Sequence, residues 1–163
     1  MNTQLLICCS IKHLIRYSPI LPSLYCEGYG KNFNLEHIYP VCKLKKAHLH
    51  DFHNIFRTST QLNAKRSNFK FDDFIHNDKN VFVPRNCDKG IISRALLYMS
   101  LKYKYPPFID KKLLIKWFIE YEPCKKEINH NNICRMVQGN NNIFISNYSI
   151  IKIIFKKYKK YEK

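Results

Sequence analysis

Residues 34–40, Asn34-Leu35-Glu36-His37-Ile38-Tyr39-Pro40, decide how this 163-residue chain is read. From Phe33 to Val41 apolar and polar residues alternate, with Phe33, Leu35, His37, Tyr39 and Val41 on one face and Asn34, Glu36 and Ile38 on the other. That period of two predicts a half-buried strand, ended by Pro40. A strand sends Glu36 and His37 to opposite faces, so both can serve one site only where it ends or twists. A basic, His-rich connection from Lys43 to His50 follows, then a short segment from Asp51 to Arg57. Thr58 or Ser59 is placed to cap a helix through Gln61, Leu62, Asn63, Ala64, Lys65 and Arg66.

Farther out, two amphipathic helices stand clear. From Gly90 to about Tyr103, Ile91, Ala95, Leu96, Met99 and Tyr103 recur near helical spacing, and Ser93, Arg94, Ser100 and Lys104 are expected toward solvent. Asp110 is a good N-cap for the second, which carries Leu113, Leu114, Trp117, Phe118 and Tyr121 before Pro123 stops it. The aromatics of both read as core. The segment Ile150 to Lys163 reads as a helix exposing Lys152, Lys156, Lys157, Lys159 and Lys160, either as a solvated face or as a nucleic-acid contact. Before Phe33, Pro19 and Pro22 break any long helix, and Gly28 and Gly30 mark a turn.

With 28 Lys and Arg against 12 Asp and Glu, the formal charge is +16, and polyanions become the leading partner class. Enrichment in Asn and Ile beside Lys keeps base-composition bias as a rival explanation of that excess. Apolar residues make up 45% of the chain, which argues against a disordered basic tail. No window approaches the roughly 18 apolar residues of a membrane span. The apolar run from Leu5 to Cys9 lacks a basic stretch ahead of it and makes a poor secretory signal. Seven cysteines, none in a CxxC pair, read as free thiols rather than as a zinc site.

Phosphodiester hydrolysis needs a base to activate water, a cation to neutralise the transition state and a group to assist the leaving oxygen. His37, with an unperturbed pKa of about 6.5, can be neutral and basic at physiological pH. Glu36 and Asn63 offer hard oxygen donors of the kind Mg²⁺ or Mn²⁺ takes. A Glu-His dipeptide alone carries almost no information, and a lone histidine is more often structural. The context supplies the rest, because five motifs in order resemble those of the endonuclease I family of ββα-metal nucleases, the periplasmic and secreted non-specific DNases. Glu36-His37-Ile38-Tyr39-Pro40 is similar to the family's Glu-His-Val-x-Pro, and Asp51-Phe52-His53-Asn54-Ile55 to its Asp-Leu-His-Asn-Leu. Leu62-Asn63-Ala64-Lys65-Arg66-Ser67-Asn68-Phe69 resembles Val-Asn-Gly-x-Arg-Ser-Asn-Phe. The stretch from Lys89 to Met99 resembles the family's Gly-x-Ile-Ala-Arg helix, and Gln138 to Phe144 its Gln-Gly-Asn-x-Asn-Pro-Phe.

The resemblance implies an α+β fold with a ββα-metal (His-Me finger) core and added packing helices. It divides the chain into an unassigned segment 1–32, a nuclease domain 33–145 and a basic tail 146–163. It implies a metal-dependent endonuclease of little sequence specificity that acts on DNA, with RNA as a second candidate substrate, and leaves 5′-phosphate ends. His37 would be the general base; Glu36 and Asn63 would hold one Mg²⁺, with Mn²⁺ as a substitute. Neither a membrane nor a small-molecule cofactor is expected. Arg66, Asn68, Asp51 and His53 are supporting groups by the same resemblance, and Arg94 either faces phosphate or pairs with Glu127. The chain departs from the pattern in its short connection between His37 and Asp51, which has no counterpart of the family's insert arginine. Lys43, Lys45 or Lys46 would stand in as point charges. His130 replaces a usual Arg and Ala64 a common Gly. The shortened connection keeps a second reading in play, a nucleic-acid-binding protein of this fold with impaired turnover. Without a secreted disulfide set, localisation stays open, an intracellular or virus-like setting included.

Overall fold

The structure is a computed structural model that describes residues 11–16, 18–75 and 80–161, with side chains as far as Tyr158. The apolar run at residues 5–9 lies outside the described residues. The architecture is α+β: one antiparallel hairpin, a two-residue parallel pair and a surrounding set of helices. A helical segment α1 (residues 11–16) comes first. The hairpin joins β1 (Phe33–His37) to β2 (Ile55–Ser59), from Phe33 opposite Ser59 to His37 opposite Ile55. Helix α2 (Thr60–Arg66) follows β2 directly, and the Ser59 side chain accepts a hydrogen bond from Leu62 N. Ser59, rather than Thr58, is thus the cap; the Thr58 hydroxyl is buried and donates to the Leu24 carbonyl.

The strand is shorter than its alternation predicts. Asn54 explains the end, since its side-chain oxygen accepts from Tyr39 N and its amide donates to the Tyr39 carbonyl, replacing a strand partner. Burial also departs from the alternation, although Tyr39 of the apolar face is buried. Glu36 and Ile38 lie inside, whereas Val41, expected with the apolar face, is exposed. Three short 3-10 turns, Val41–Lys43, Lys46–His48 and Phe52–Asn54, carry the chain from β1 back to β2.

The parallel pair is β3 (Lys70–Phe71) with β4 (Val81–Phe82). Helix α3 (Asn86–Tyr103) starts four residues before Gly90 and runs through the middle of the molecule. Gly90 lies inside it because a Cβ there would stand 2.5 Å from the Tyr121 carbonyl oxygen. Ser93 and Arg94, expected toward solvent, are buried, because α3 is covered on several sides. Helix α4 (Lys111–Glu120) lies against it, capped by the Asp110 carboxylate on Lys112 N and Leu113 N. Trp117 and Phe118 are fully buried with Ile92, Leu96 and Met99, as core aromatics should be. Helix α5 (Lys125–Gln138) ends at Gly139, whose φ of 75° suits a residue without a Cβ. A short α6 (Ile143–Ser146) and a terminal α7 (Tyr148–Tyr161) complete the chain. Helix α7 exposes Lys156 and Lys157, but Lys152 is half-buried and paired with Glu122 at 2.7 Å. A second core joins Ile11, Ile15 and Leu21 to Phe52, Ile55 and Cys134, so the segment before Phe33 is part of the packed structure.

Candidate active site

A cavity of about 350 Å³ opens where β1, the following turn and α2 meet, lined by Leu35, Glu36, His37, Pro40, Val41, Cys42, Asn63, Arg66, Ser67 and Asn68. Glu36 and His37 face one cavity although they are neighbours on a strand, because His37 is the last residue of β1. The chain turns there, as a shared site requires.

The Glu36 side chain is only 2% exposed. Its Oε1 accepts the Tyr25 hydroxyl at 2.8 Å and lies 3.2 Å from the Arg66 guanidinium. Oε2 takes no hydrogen bond from the described residues. Burial pushes the carboxyl up to about 7, while the Arg66 charge and the Tyr25 hydrogen bond act in the other direction. Asn63 donates its side-chain amide to Asn34 Oδ1 at 2.8 Å and to the Leu35 carbonyl at 3.1 Å. A carbonyl only accepts, so the amide orientation is fixed, and Asn63 Oδ1 takes no hydrogen bond from the described residues. Two hard oxygens, Glu36 Oε2 and Asn63 Oδ1, are thereby left without hydrogen bonds from the described residues, and both residues line one cavity. That donor set fits a divalent cation that keeps several waters.

His37 is half-buried, and its Nε2 donates to the Leu49 carbonyl at 3.0 Å. Because Nε2 must carry the hydrogen, the neutral ring presents the lone pair of Nδ1. Burial lowers the imidazole pKa, against the hydrogen bond to Leu49. The ring is therefore neutral at neutral pH and can accept a proton.

Arg66 is buried and directed at backbone: it donates to the carbonyls of His37, Ile38 and Ser67 and covers the Phe71 ring at 4.6 Å. It ties the end of α2 to the turn after β1. Asn68 is exposed on the rim, its amide 3.7 Å from Cys42 Sγ. Lys45 and Lys46 are exposed, and Lys43 reaches over the Phe108 ring. Arg94 lies away from the cavity in a two-pronged pair with Glu127, at 2.7 and 2.6 Å, with a third donation to the Tyr121 carbonyl. Of the two alternatives left open for it, pairing holds.

Asp51 and His53 are buried and do not line the cavity. Asp51 Oδ2 accepts from Tyr98 (2.8 Å), Lys102 (2.9 Å) and Tyr103 (2.6 Å), while Oδ1 accepts from His53 N and from Gln138 Nε2. Burial acts to raise this carboxyl, but the hydrogen bonds from Tyr103 and Lys102 outweigh it and hold it down at about 2. His53 Nε2 donates to the Asn140 carbonyl, and Gln138 Oε1 accepts from Phe52 N. The Gln138-to-Phe144 motif is thus the structural counterpart of the Asp51 motif. His130 is buried, donates to the Phe52 carbonyl at 2.8 Å and is pushed down to about 4 by burial, so it carries no charge at neutral pH.

Tyr25 was not singled out in the sequence, and no local pattern marks it. It reaches Glu36 from a segment 11 residues upstream, with its backbone N held by Asp88 at 2.9 Å.

Comparison with known proteins fits this geometry. The Endonuclease I family model matches residues 23–149. Endonuclease-1 of Buchnera aphidicola subsp. Baizongia pistaciae is 29% identical over 136 residues, covering 74% of this chain and 54% of that protein. An extracellular deoxyribonuclease of Aeromonas hydrophila is 30% identical over 110 residues, covering 58% of this chain and 48% of its own. A periplasmic deoxyribonuclease of the same organism is 28% identical over 110 residues, with 58% and 46% covered. A chain whose family model matches most of its length is classified by that family: it belongs to the Endonuclease I family. It spans about half the length of the curated relatives it matches.

Proposed function

We propose that the protein is a metal-dependent endonuclease with a ββα-metal core that hydrolyses DNA phosphodiester bonds with little sequence preference. The observation that carries this reading is the shared cavity lined by His37, whose Nε2 is taken by the Leu49 carbonyl, and by Glu36 and Asn63, each with a side-chain oxygen that takes no hydrogen bond from the described residues. His37 Nδ1 accepts the proton of the water that attacks phosphorus. Its Nε2–H, held by the Leu49 carbonyl, stabilises the imidazolium that forms. Glu36 Oε2 and Asn63 Oδ1 would hold one Mg²⁺, with Mn²⁺ able to replace it. When bound, the cation supplies positive charge for the scissile phosphate and the departing 3′ oxygen. Arg66 keeps the Glu36 carboxylate in place and joins the helix bearing Asn63 to the turn after His37. Lys45 and Lys46 attract the polyanion as exposed point charges, and contacts to phosphate carry no base information.

The names of the relatives support DNA as substrate. Supercoiled plasmid incubated with the purified protein tests the reading. Nicking and linearisation in Mg²⁺, abolished by EDTA, with ends that ligate without added kinase, are expected. Cleavage unaffected by EDTA, or 3′-phosphate ends, would overturn the metal mechanism. Tight plasmid binding without any cleavage would point to the binding-only alternative. RNA in a parallel arm decides whether the 2′-hydroxyl is tolerated.

A further inference from the structure

The Leu49 carbonyl that orients His37 belongs to the turn spanning residues 45–51. Inside that turn His48 N donates to the Lys45 carbonyl, Leu49 N to Lys46 and Asp51 N to His48. A turn made only of such bonds moves easily in water. Here it is gripped from outside by the end of α3. Tyr103 stacks on the His48 ring with centroids 3.9 Å apart and 20° between planes, and its hydroxyl donates to Asp51 Oδ2 at 2.6 Å. Tyr105 accepts from Lys45 N at 2.8 Å, and its hydroxyl lies 2.8 Å from His48 Nδ1. The Tyr105 ring stacks in turn on Tyr39, two residues beyond the base, at 4.8 Å. Lys104, between the two tyrosines, adopts a left-handed φ of 60°, which ends α3 and turns both rings toward one segment. A non-glycine residue in that region is conformationally costly, and here it accompanies two simultaneous contacts.

We propose that Tyr103 and Tyr105 are positioning residues for His37. Acting through the 45–51 turn, they hold the Leu49 carbonyl where it fixes the imidazole as the Nε2–H tautomer and leaves Nδ1 free. Neither tyrosine lines the cavity that holds Glu36, His37 and Asn63. The catalytic consequence rests on the nuclease reading above; the tautomer consequence does not.

Tyr103→Phe and Tyr105→Phe keep the rings and remove only the hydroxyls. Each variant is expected to lower kcat on plasmid in Mg²⁺ about three- to tenfold, with KM for DNA within about twofold of wild type. Nitrogen-15 spectra of the metal-free full-length chain, with the His37 ring assigned by comparison with His37→Ala, give the distinguishing readout. Wild type is expected to show one tautomer, protonated at Nε2, and the variants a mixture. His48→Ala, which removes the stack from the opposite side, should give the same mixture. Variants that melt earlier but keep a single Nε2–H tautomer and wild-type kcat would overturn the inference, as would a raised KM with unchanged kcat. Should the wild-type protein cleave nothing, the nuclease reading fails, and the tautomer comparison, which needs no turnover, still decides the role of the tyrosines.

Discussion

At the scale of single residues, Glu36 couples the site to pH. Burial holds its carboxyl at about 7, well above an exposed glutamate, so below neutrality a cation held there as proposed would have to displace a proton. Mg²⁺ affinity measured by calorimetry should rise by about fivefold as pH climbs from 6 to 7 and level off above about 8. Glu36→Gln should remove both the affinity and its pH dependence; a flat profile in the wild type would contradict the assignment. Asp51 behaves in the opposite sense. Its folded pKa of about 2 lies below the unfolded value, so its contribution to stability is complete above about 4 and is lost as pH falls toward 2. Asp51→Asn should cost on the order of 2 kcal/mol in urea denaturation at pH 7 and flatten the acid limb between 4 and 2. Glu36, His37 and Asn63 were legible because they sit in short motifs whose neighbours in sequence are their neighbours in space. Tyr25, which reaches Glu36, and Tyr103 and Tyr105, which grip the 45–51 turn, were not, because each comes from another element and carries no periodic signature of that contact.

At the scale of elements, the helices α3 and α4 followed from apolar spacing and from the Asp110 cap, but the faces of α3 did not. An amphipathic pattern assumes one wet side, and α3 has almost none along residues 88–96. Arg94 is buried there only because Glu127 meets it from α5, a helix whose polar composition gives no clear stripe. Arg94→Met alone should destabilise the fold by about 3–5 kcal/mol in urea denaturation, since it strands the Glu127 carboxylate inside. Arg94→Met with Glu127→Leu should recover much of that loss. A single variant as stable as wild type would show the pair to be dispensable. The early end of β1 was likewise invisible in the alternation, which continues past His37. The Asn54 side chain, 15 residues from Tyr39, takes over the pairing.

At the scale of the whole molecule, the charge of +16 becomes more specific once the cations are placed. Arg66 and Arg94 are buried and paired, and Lys152 pairs with Glu122, so none of these is free to meet phosphate. Lys45 and Lys46 stay exposed in the turn whose Leu49 carbonyl holds His37. Plasmid affinity should fall steeply with salt, and Lys45→Ala and Lys46→Ala should each reduce the slope of log affinity against log salt by about 1. Unchanged slopes would move the phosphate track elsewhere, with the exposed lysines of α7 the next to test. The order of motifs was enough to give the family, but the packing of residues 11–32 onto it was not, since that segment carries no motif.

His37 is the group on which the account turns. The most direct measurement is the Mg²⁺-dependent cleavage rate of His37→Ala against wild type on the same plasmid, with circular dichroism showing both folded. A loss of about 10²–10⁴-fold, with DNA binding retained, is the result expected for a general base. Cleavage by His37→Ala within a fewfold of wild type would contradict the account.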